Sequence, residues 1–561
     1  MSTEPGQPAW IEQPPPAGSF RSIFKWGDPG AFKHPNDRLY HVLKQNFDLT
    51  DADFHEPRKA GLEPVPDSLP GALSGSQVSA FVSLLGPDNV RTDGYARLKA
   101  GSGKSMFDLF RLREQKLPAL PGAVLYPRNA DDVRAIVRLC AKKKVPVYIF
   151  GAGSSVTRGV ECTRGGVSLD LSRHMHRVLA FSAVNQTVTV EPGKLGPDLE
   201  DCLNQASEIF GAPHDYTVGH FPQSFEFSTV GGWVVTRGAG QNSTYYGKIE
   251  DMVLSQTYVT PTGDIVTKPY PRKATGPDID QIMIGSEGAF GILVAVTLKL
   301  KRYQPNHTRR FSFLFHDWAS GCAAMRETMQ GEFGFPSVFR LSDPEETDLA
   351  LKLYGVEGTP IDLLLKLRGF RPGKRCLLIG SCDGDADFTR LVLRKTKRIC
   401  RRHGGASATG FVTRKWEHGR FRDPYMREDL MDFGVVIDTL ECAVNWEQLD
   451  HVHQTVRAYC HERPKTIVMA HMSHIYPQGA NLYFIFIARM EFAEFQKFHR
   501  GLLDAIARSG AALSHHHGIG KMMGPWMKEQ LGEENLALVK AIKRHFDPKN
   551  IMNPGGTLGL D

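Results

Sequence analysis

The sequence predicts an α/β protein of several domains, and three observations carry that reading. The chain has 561 residues, more than one hydrophobic core normally organises. From Gly122 to Phe150 an apolar run (GAVLYP), a stretch of helical periodicity (NADDVRAIVRLCAKKK) and a second apolar run (VPVYIF) follow one another, the pattern of a strand–helix–strand unit. Beyond it, segments of period two such as VLAFSAVNQTVTV alternate with segments of period 3.6 such as WEQLDHVHQTVRAY, so helices and sheets are interleaved.

Composition excludes several classes. No apolar run reaches the ~18–20 residues of a membrane span, and MSTEPGQPAW lacks the charged and apolar regions of a signal peptide. Nine cysteines occur singly with no Cys-x-x-Cys pair, which argues for a reducing compartment and against structural zinc. A net charge of +7 suits an anionic substrate or membrane surface; nucleic acid is not expected as a partner.

Taken in order, residues 1–20, with EPGQP and QPPPAG, are expected to form a disordered tail. Residues 21–116 are expected to be a helical N-terminal segment. Within it GSGKS (Gly101–Ser105) imitates the end of a phosphate loop, but the full pattern needs glycine where Leu98 stands; Ser102 or Ser105 is a helix cap instead. In the next unit, 117–301, Asn129 or Asp131 starts the helix and VPVYIF runs straight into GAGSSV. A strand delivered into glycines and serines points free N–H groups into a concave turn, suited to a pyrophosphate. The third glycine of a dinucleotide fingerprint is missing at Val156, so the cradle lies outside that design. PTGD turns a hairpin, and GSEGAFG feeds a strand. The basic run Arg394–Arg402 lies on a helix and reads as a solvated face.

The succession GAGSS, GHFPQSFEFSTVGGW and TGPDIDQIMIGSEGAFG resembles the FAD-binding domain of the vanillyl-alcohol oxidase/p-cresol methylhydroxylase superfamily. That resemblance implies two α/β subdomains clasping FAD. The cofactor-binding positions it carries over are Ile149, Phe150, Gly151, Ala152, Gly153, Ser154 and Ser155; Val218, Gly219 and His220; Ser228, Thr229, Val230, Gly231, Gly232 and Trp233; and Gly285, Ser286, Glu287 and Gly288. Ser154 and Ser155 stand where a tethering histidine could be, so non-covalent FAD is implied.

RSIFKWGDPG, HMSHIYPQGANLYFIF and ALSHHHGIGKMMGPWMKEQL resemble the alkyldihydroxyacetonephosphate synthase family over nearly the whole chain from about Phe20. The resemblance implies a mixed-sheet cap over 302–510 and a helical segment, 511–561, closing on the flavin. It implies exchange of the acyl chain of acyl-dihydroxyacetone phosphate for a long-chain fatty alcohol, through an adduct on flavin N5 and without net redox. Tyr483 is then the proton-transfer residue, Arg427 holds the substrate phosphate, and Arg340 is a further active-site arginine that shares that charge. Phe221 and Gln223 replace two carboxylates usual in the family. His515, His516 and His517 are expected to divide their duties, because adjacent side chains diverge: one or two line the pocket, where a histidine cation favours the Tyr483 phenolate, and another bonds to the scaffold. No metal is expected. His471 and His474 are even candidates for the pocket wall, and His451 and His453 read as structural. The alternatives are an FAD-linked 2-hydroxy acid dehydrogenase on the same fold and a flavin-binding scaffold without catalysis. A cytoplasmic, peripherally membrane-associated protein is expected, since RLYHVLKQN reads as part of a folded helix and the chain ends TLGLD; a homodimer stays open.

Overall fold

A computed structural model describes residues 8–117 and 119–560. Strands Ala123–Leu125, Val167–Asp170 and Val147–Phe150 lie side by side in parallel, with Val90–Arg91 antiparallel at one edge. Buried parallel strands must be apolar on both faces, which is why VPVYIF reads as an unbroken run. The crossover helix Ala130–Lys143 is capped by the Asn129 side chain, which accepts from Asp131 and Asp132 N–H, and it buries Val133, Ile136, Val137 and Cys140. A second sheet is antiparallel, in the order Val178–Ser182, Thr187–Val190, Ile292–Lys299, Val253–Thr260, Gly263–Val266. Its last two strands form the hairpin expected at PTGD.

The cap is a seven-stranded sheet in the order Ala406–Ala408, Arg309–Phe315, Cys376–Cys382, Val338–Ser342, Thr466–Tyr476, Gly479–Arg489, Val435–Asn445. Every pairing in it is antiparallel, which corrects the mixed sheet expected there. Neighbouring strands run in opposite directions wherever a tight turn joins them, as at Pro477–Gln478. Side chains alternate faces along a strand, and this alternation divides the cap. Leu341, Met472, Leu482, Leu440 and Cys442 enter the largest core, under helices Trp318–Met329, Ala386–Arg402, Leu449–Glu462 and Phe492–Arg508. Arg340, His471, Tyr483 and Glu441 belong to the opposite face. Register sets the last three in one row with Ser342: Ser342 faces His471, His471 faces Tyr483, and Tyr483 faces Glu441.

The expected disordered tail is corrected from residue 8 onward. Trp10 packs edge-on to Phe433 and Phe54 at 5.2 and 6.0 Å and stacks on His34 at 5.6 Å; an aromatic pocket fixes what composition alone would leave loose, and residues 1–7 lie outside the described residues. Helix Asp37–Phe47 buries Leu39, Tyr40, Leu43 and Phe47, so RLYHVLKQN is part of a packed helix. Lys104, in the imitation phosphate loop, donates to backbone carbonyls of Ile23 and Lys25, and Ser105 caps helix Met106–Arg113. At the other end, Met552 bridges to Val147 beside the first sheet and Ala512 bridges to Ala443, so the last fifty residues tie the FAD-side sheet to the cap.

Among the cap carboxylates that hold the N-terminal segment, Asp432 gathers two arginines. Asp432 accepts two hydrogen bonds from Arg21, both 2.9 Å, and one from Arg113 at 2.7 Å, and all three side chains are buried. Removing one partner of a buried ion pair strands the others. Asp432→Ala is therefore expected to cost about 3–5 kcal/mol, measured as an earlier denaturant midpoint with early proteolysis of residues 8–60.

Candidate active site

Strand Val147–Phe150 ends at a loop built for close approach. Gly153 has φ +74°, in the region that favours glycine. A Cβ at Gly151 would sit 2.5 Å from the Thr229 hydroxyl, and one at Gly231 2.6 Å from Pro192. Residues 149–155 line one end of an elongated cavity with Ser228, Thr229, Gly231, Gly232, Trp233, Glu287 and Gly288. His220 lines it too, its ring 4.6 Å from that of Trp233. Both His220 nitrogens are buried with no hydrogen-bond partner among the described residues, and burial, with Lys248 nearby, lowers its pKa to about 3. An unpartnered buried imidazole is costly and marks where a polar ligand belongs. A glycine cradle followed by orphaned polar atoms fits a dinucleotide such as FAD.

Five expected cofactor positions do not line the cavity. Val218 and Gly219 donate their N–H groups to the buried carboxylate of Glu200 at 3.0 and 3.1 Å, so that turn is closed by protein. Val230 faces the core. Gly285 and Ser286 spend their N–H groups on Val234 and Met283 carbonyls, leaving Glu287 and Gly288 to reach the wall.

The cavity's other end is the polar face of the cap sheet. Tyr483 donates to the Thr439 hydroxyl at 3.0 Å, its ring stacked on His471 at 4.9 Å and edge-on to His517 at 5.7 Å. Burial pushes its phenol up to about 12 against the opposing Thr439 bond, and the Glu441 and Asp438 charges add to the rise. Arg427, from helix Met426–Met431, lines the cavity with Nε and Nη2 buried and, among the described residues, without hydrogen-bond partners; the Asp438 carboxylate is 3.9 Å away. Burial raises Asp438 to about 6 against the pull of Arg427. Arg340 also lines the cavity but is ion-paired to Glu346, whose second oxygen meets His471 Nδ1 at 3.2 Å. Burial works to raise Glu346, but Arg340 and His471 outweigh it and bring it down to about 2. The two arginines thus differ: Arg340 is already neutralised, and Arg427 is left to meet an anion. Gln223, one of the two replacements, also lines the wall and donates to the Arg420 carbonyl.

SHHHGIGK is held by two buried carboxylates. Glu441 accepts from the Ser514 hydroxyl at 2.7 Å and from the N–H groups of His515, His516 and His517 at 2.6, 3.1 and 3.0 Å. Glu287 accepts from Ile519 and Gly520 N–H at 2.6 and 2.7 Å. Gly518 and Gly520 have φ +82° and +55°, and a Cβ on Gly520 would lie 2.0 Å from the Thr157 carbonyl, so both glycines are required. His516 and His517 line the cavity. His515 does not; its Nε2 pairs with the Tyr476 hydroxyl at 2.8 Å. The expected histidine cation is corrected: burial lowers all three imidazoles, His515 and His516 furthest, and neighbouring imidazoles or cations add to it. Glu441, His515 and His516 bring three ligand-type atoms within 4.8 Å of one another. Each Glu441 oxygen is already occupied by N–H or O–H donors, however, so the arrangement is a backbone clamp.

The residues sequence reading passed over are Glu441, Glu346, Thr439 and Asp438. Alternation along VVIDTLECAV puts Thr439 and Glu441 on one face, a signal available in the sequence; Glu346 sits on a helix, Pro344–Leu353, whose approach to His471 no local pattern reveals. His471 and His474 both line the cavity. His474 has φ +50° at a bulge in the strand and bonds to the Ser243 hydroxyl at 2.7 Å, so a strained backbone turns it inward.

Fold and site together define an FAD-linked oxidase-type flavoprotein: an FAD binding domain profile matches residues 121–268, and one for the C-terminal domain of FAD linked oxidases matches residues 304–557. The protein binds FAD. Alkyldihydroxyacetonephosphate synthase of Dictyostelium discoideum is 30% identical over 491 residues, covering 83% of this chain and 78% of that protein. The synthase of Trypanosoma brucei brucei is 30% identical over 549 residues, covering 93% and 88%. A solved structure of alkyldihydroxyacetonephosphate synthase superposes with a TM-score of 0.77 at 25% identity, covering 95% of this chain and 97% of that one. The chain belongs to the alkyldihydroxyacetonephosphate synthase family.

Glu441 is buried and accepts four hydrogen bonds from one turn, so Glu441→Ala should free residues 514–517. Misplacing site groups by about 1 Å costs on the order of 100-fold in rate. The expected outcome is a loss of that size with FAD retained, and no zinc by elemental analysis in either wild type or variant. Stoichiometric zinc lost in the variant would make the clamp a metal site.

Proposed function

We propose that this chain exchanges the acyl chain of acyl-dihydroxyacetone phosphate for a long-chain fatty alcohol, the step that forms the ether bond of ether lipids, on non-covalently bound FAD. The observation that carries it is one cavity joining the glycine cradle to Tyr483 and to the Arg427 guanidinium, whose Nε and Nη2 have no hydrogen-bond partner among the described residues. Residues 149–155, Thr229 and Gly288 would hold the FAD. When bound, FAD would supply an electron-pair donor for the substrate carbon. Arg427 is suited to the substrate phosphate because a fork of N–H donors matches its oxygens. Tyr483 holds its proton at rest, ready to pass it at the substrate carbon, while Thr439 fixes its hydroxyl. His516 and His517, neutral, shape the wall without adding charge.

The test combines three measurements on purified protein. Acid precipitation is expected to release yellow FAD into the supernatant. Palmitoyl-dihydroxyacetone phosphate is expected to bleach the flavin and hexadecanol to restore it, without reducing an added dye. Tyr483→Phe is expected to abolish bleaching while keeping FAD. Stoichiometric dye reduction by D-lactate would favour the dehydrogenase reading instead.

Peripheral association with the cytoplasmic face of a membrane is part of the proposal, supported by the helix Pro360–Leu367. Its Ile361, Leu363, Leu364 and Leu367 are 49–77% exposed, an apolar patch unusual for a free surface. Lys366, Arg368, Arg371 and Lys374 lie in or just after it, as an anionic interface requires. Phe411 is exposed on helix Gly410–Gly419, and Lys415 of the same helix sits over exposed Tyr354, 4.7 Å from its ring; the next residue, Trp416, lines the cavity. Each of Leu363→Asp and Leu367→Asp is expected to weaken co-sedimentation with phosphatidylserine-containing vesicles by about tenfold or more, while turnover of a short-chain soluble substrate stays unchanged. Vesicle binding equal to wild type would remove this face from the proposal.

A further inference from the structure

Replacing an ester acyl group by an alcohol has a fixed proton balance. Ester plus alcohol gives ether plus fatty acid carboxylate plus one proton, so some group must take the alcohol proton as the ether bond forms. Tyr483 is poorly placed to do so, since burial pushes its phenol up to about 12 and it keeps its own proton at neutrality. Beside it stands a group with the opposite endowment.

His471 faces Tyr483 directly across two paired strands, the rings stacked at 4.9 Å with 18° between their planes. Its Nδ1 lies 3.2 Å from Glu346, and Glu346 is ion-paired to Arg340. An ionised carboxylate only accepts, so Nδ1 carries the proton and donates. The neutral ring then has its lone pair on Nε2, with which no protein donor or acceptor is paired among the described residues, and the residue lines the cavity. A histidine with one nitrogen oriented by a carboxylate and the other free is the usual build of a general base. Neighbouring groups with opposed protonation, phenol and free imidazole, divide acid and base duties. The titratable and charged groups around His471 are Glu346, Arg340, Asp343, Tyr483 and His474.

We infer that His471, oriented by Glu346, is the base that deprotonates the incoming fatty alcohol, an assignment that rests on the exchange reading above. The alcohol O–H bond breaks, its proton passes to His471 Nε2, and its electron pair forms the ether bond to the substrate carbon. The acyl C–O bond at that carbon breaks beforehand, in a step that does not use His471, with its pair leaving on the fatty acid carboxylate. The electron-pair donor that FAD would supply takes that place at the carbon and recovers its pair as the ether bond forms. The imidazolium then returns its proton to water, one per turnover. Glu346 acts through His471 and is a positioning residue.

The test uses FAD-loaded enzyme and palmitoyl-dihydroxyacetone phosphate labelled in its acyl chain, scoring palmitate release in the first turnover separately from alkyl product formed with hexadecanol. His471→Gln is expected to release palmitate at close to the wild-type rate and to form alkyl product about 100-fold more slowly, with Glu346→Gln losing about tenfold. A long-chain alcohol fluorinated beside its hydroxyl, which parts with its proton readily, is expected to recover most of the loss in His471→Gln and to gain little in wild type. Visible spectra confirm that each variant holds FAD. Alkyl product formed by His471→Gln at the wild-type rate overturns the assignment alone. Equal losses in palmitate release and product, with no recovery by the fluorinated alcohol, also overturn it and leave His471 a packing residue. Wild-type enzyme that makes no alkyl product overturns the exchange reading and this assignment with it.

Discussion

The site depends on one buried carboxylate. Glu441 sits at the edge of the cap sheet directly opposite Tyr483 and accepts three successive backbone N–H groups and a hydroxyl from the turn that opens SHHHGIGK. Buried N–H groups must find acceptors, and a turn that exposes three in a row needs an anion to gather them. Glu287 does the same two residues later from the FAD side. One segment of eight residues is thereby pinned to both halves of the cavity, and its histidines hold their positions through their backbone. That is why three neighbouring imidazoles end with different roles: the clamp fixes the main chain, and divergence sends His515 to Tyr476 while His516 and His517 face the cavity.

The cap's chemistry is a consequence of strand register. Ser342, His471, Tyr483 and Glu441 form one row across four strands, and a slip of one residue would turn His471 and Tyr483 into the core and bring Met472 and Leu482 to the site. The apolar residues that occupy the alternate positions guard against the slip, because burying His471 and Tyr483 under the helices would leave polar atoms unpaired. Packing on one face therefore specifies the site on the other. Burial of the side chains at the cap end of the cavity also governs their charge. Burial keeps the imidazoles neutral and the phenol protonated, so the lasting positive charge at that end comes from arginine. Of the two, Arg340 spends its charge holding Glu346 and, through it, His471.

What the sequence alone determined were the features with a local physical cause. Helix starts at Asn129 and Ser105, the hairpin at PTGD, the glycine cradle after VPVYIF and the demands of Gly518 and Gly520 all follow from capping, turn chemistry or backbone freedom within a few residues. Motif resemblance added Tyr483, Arg340 and Arg427, and each of these reaches the cavity. What only the tertiary structure decided were the partners. Val218 and Gly219 match the same motif as His220, yet Glu200 has already taken their N–H groups. Trp10 sits in a stretch of tail-like composition, and a pocket made partly by Phe433, some four hundred residues later, holds it. The neutral state of the histidines, the pairing of Arg340 with Glu346, and the approach of Glu346 to His471 depend on burial and on contacts between segments far apart in the chain. Electrostatics in a low-dielectric cavity is set by everything that surrounds it, and no window of sequence contains that.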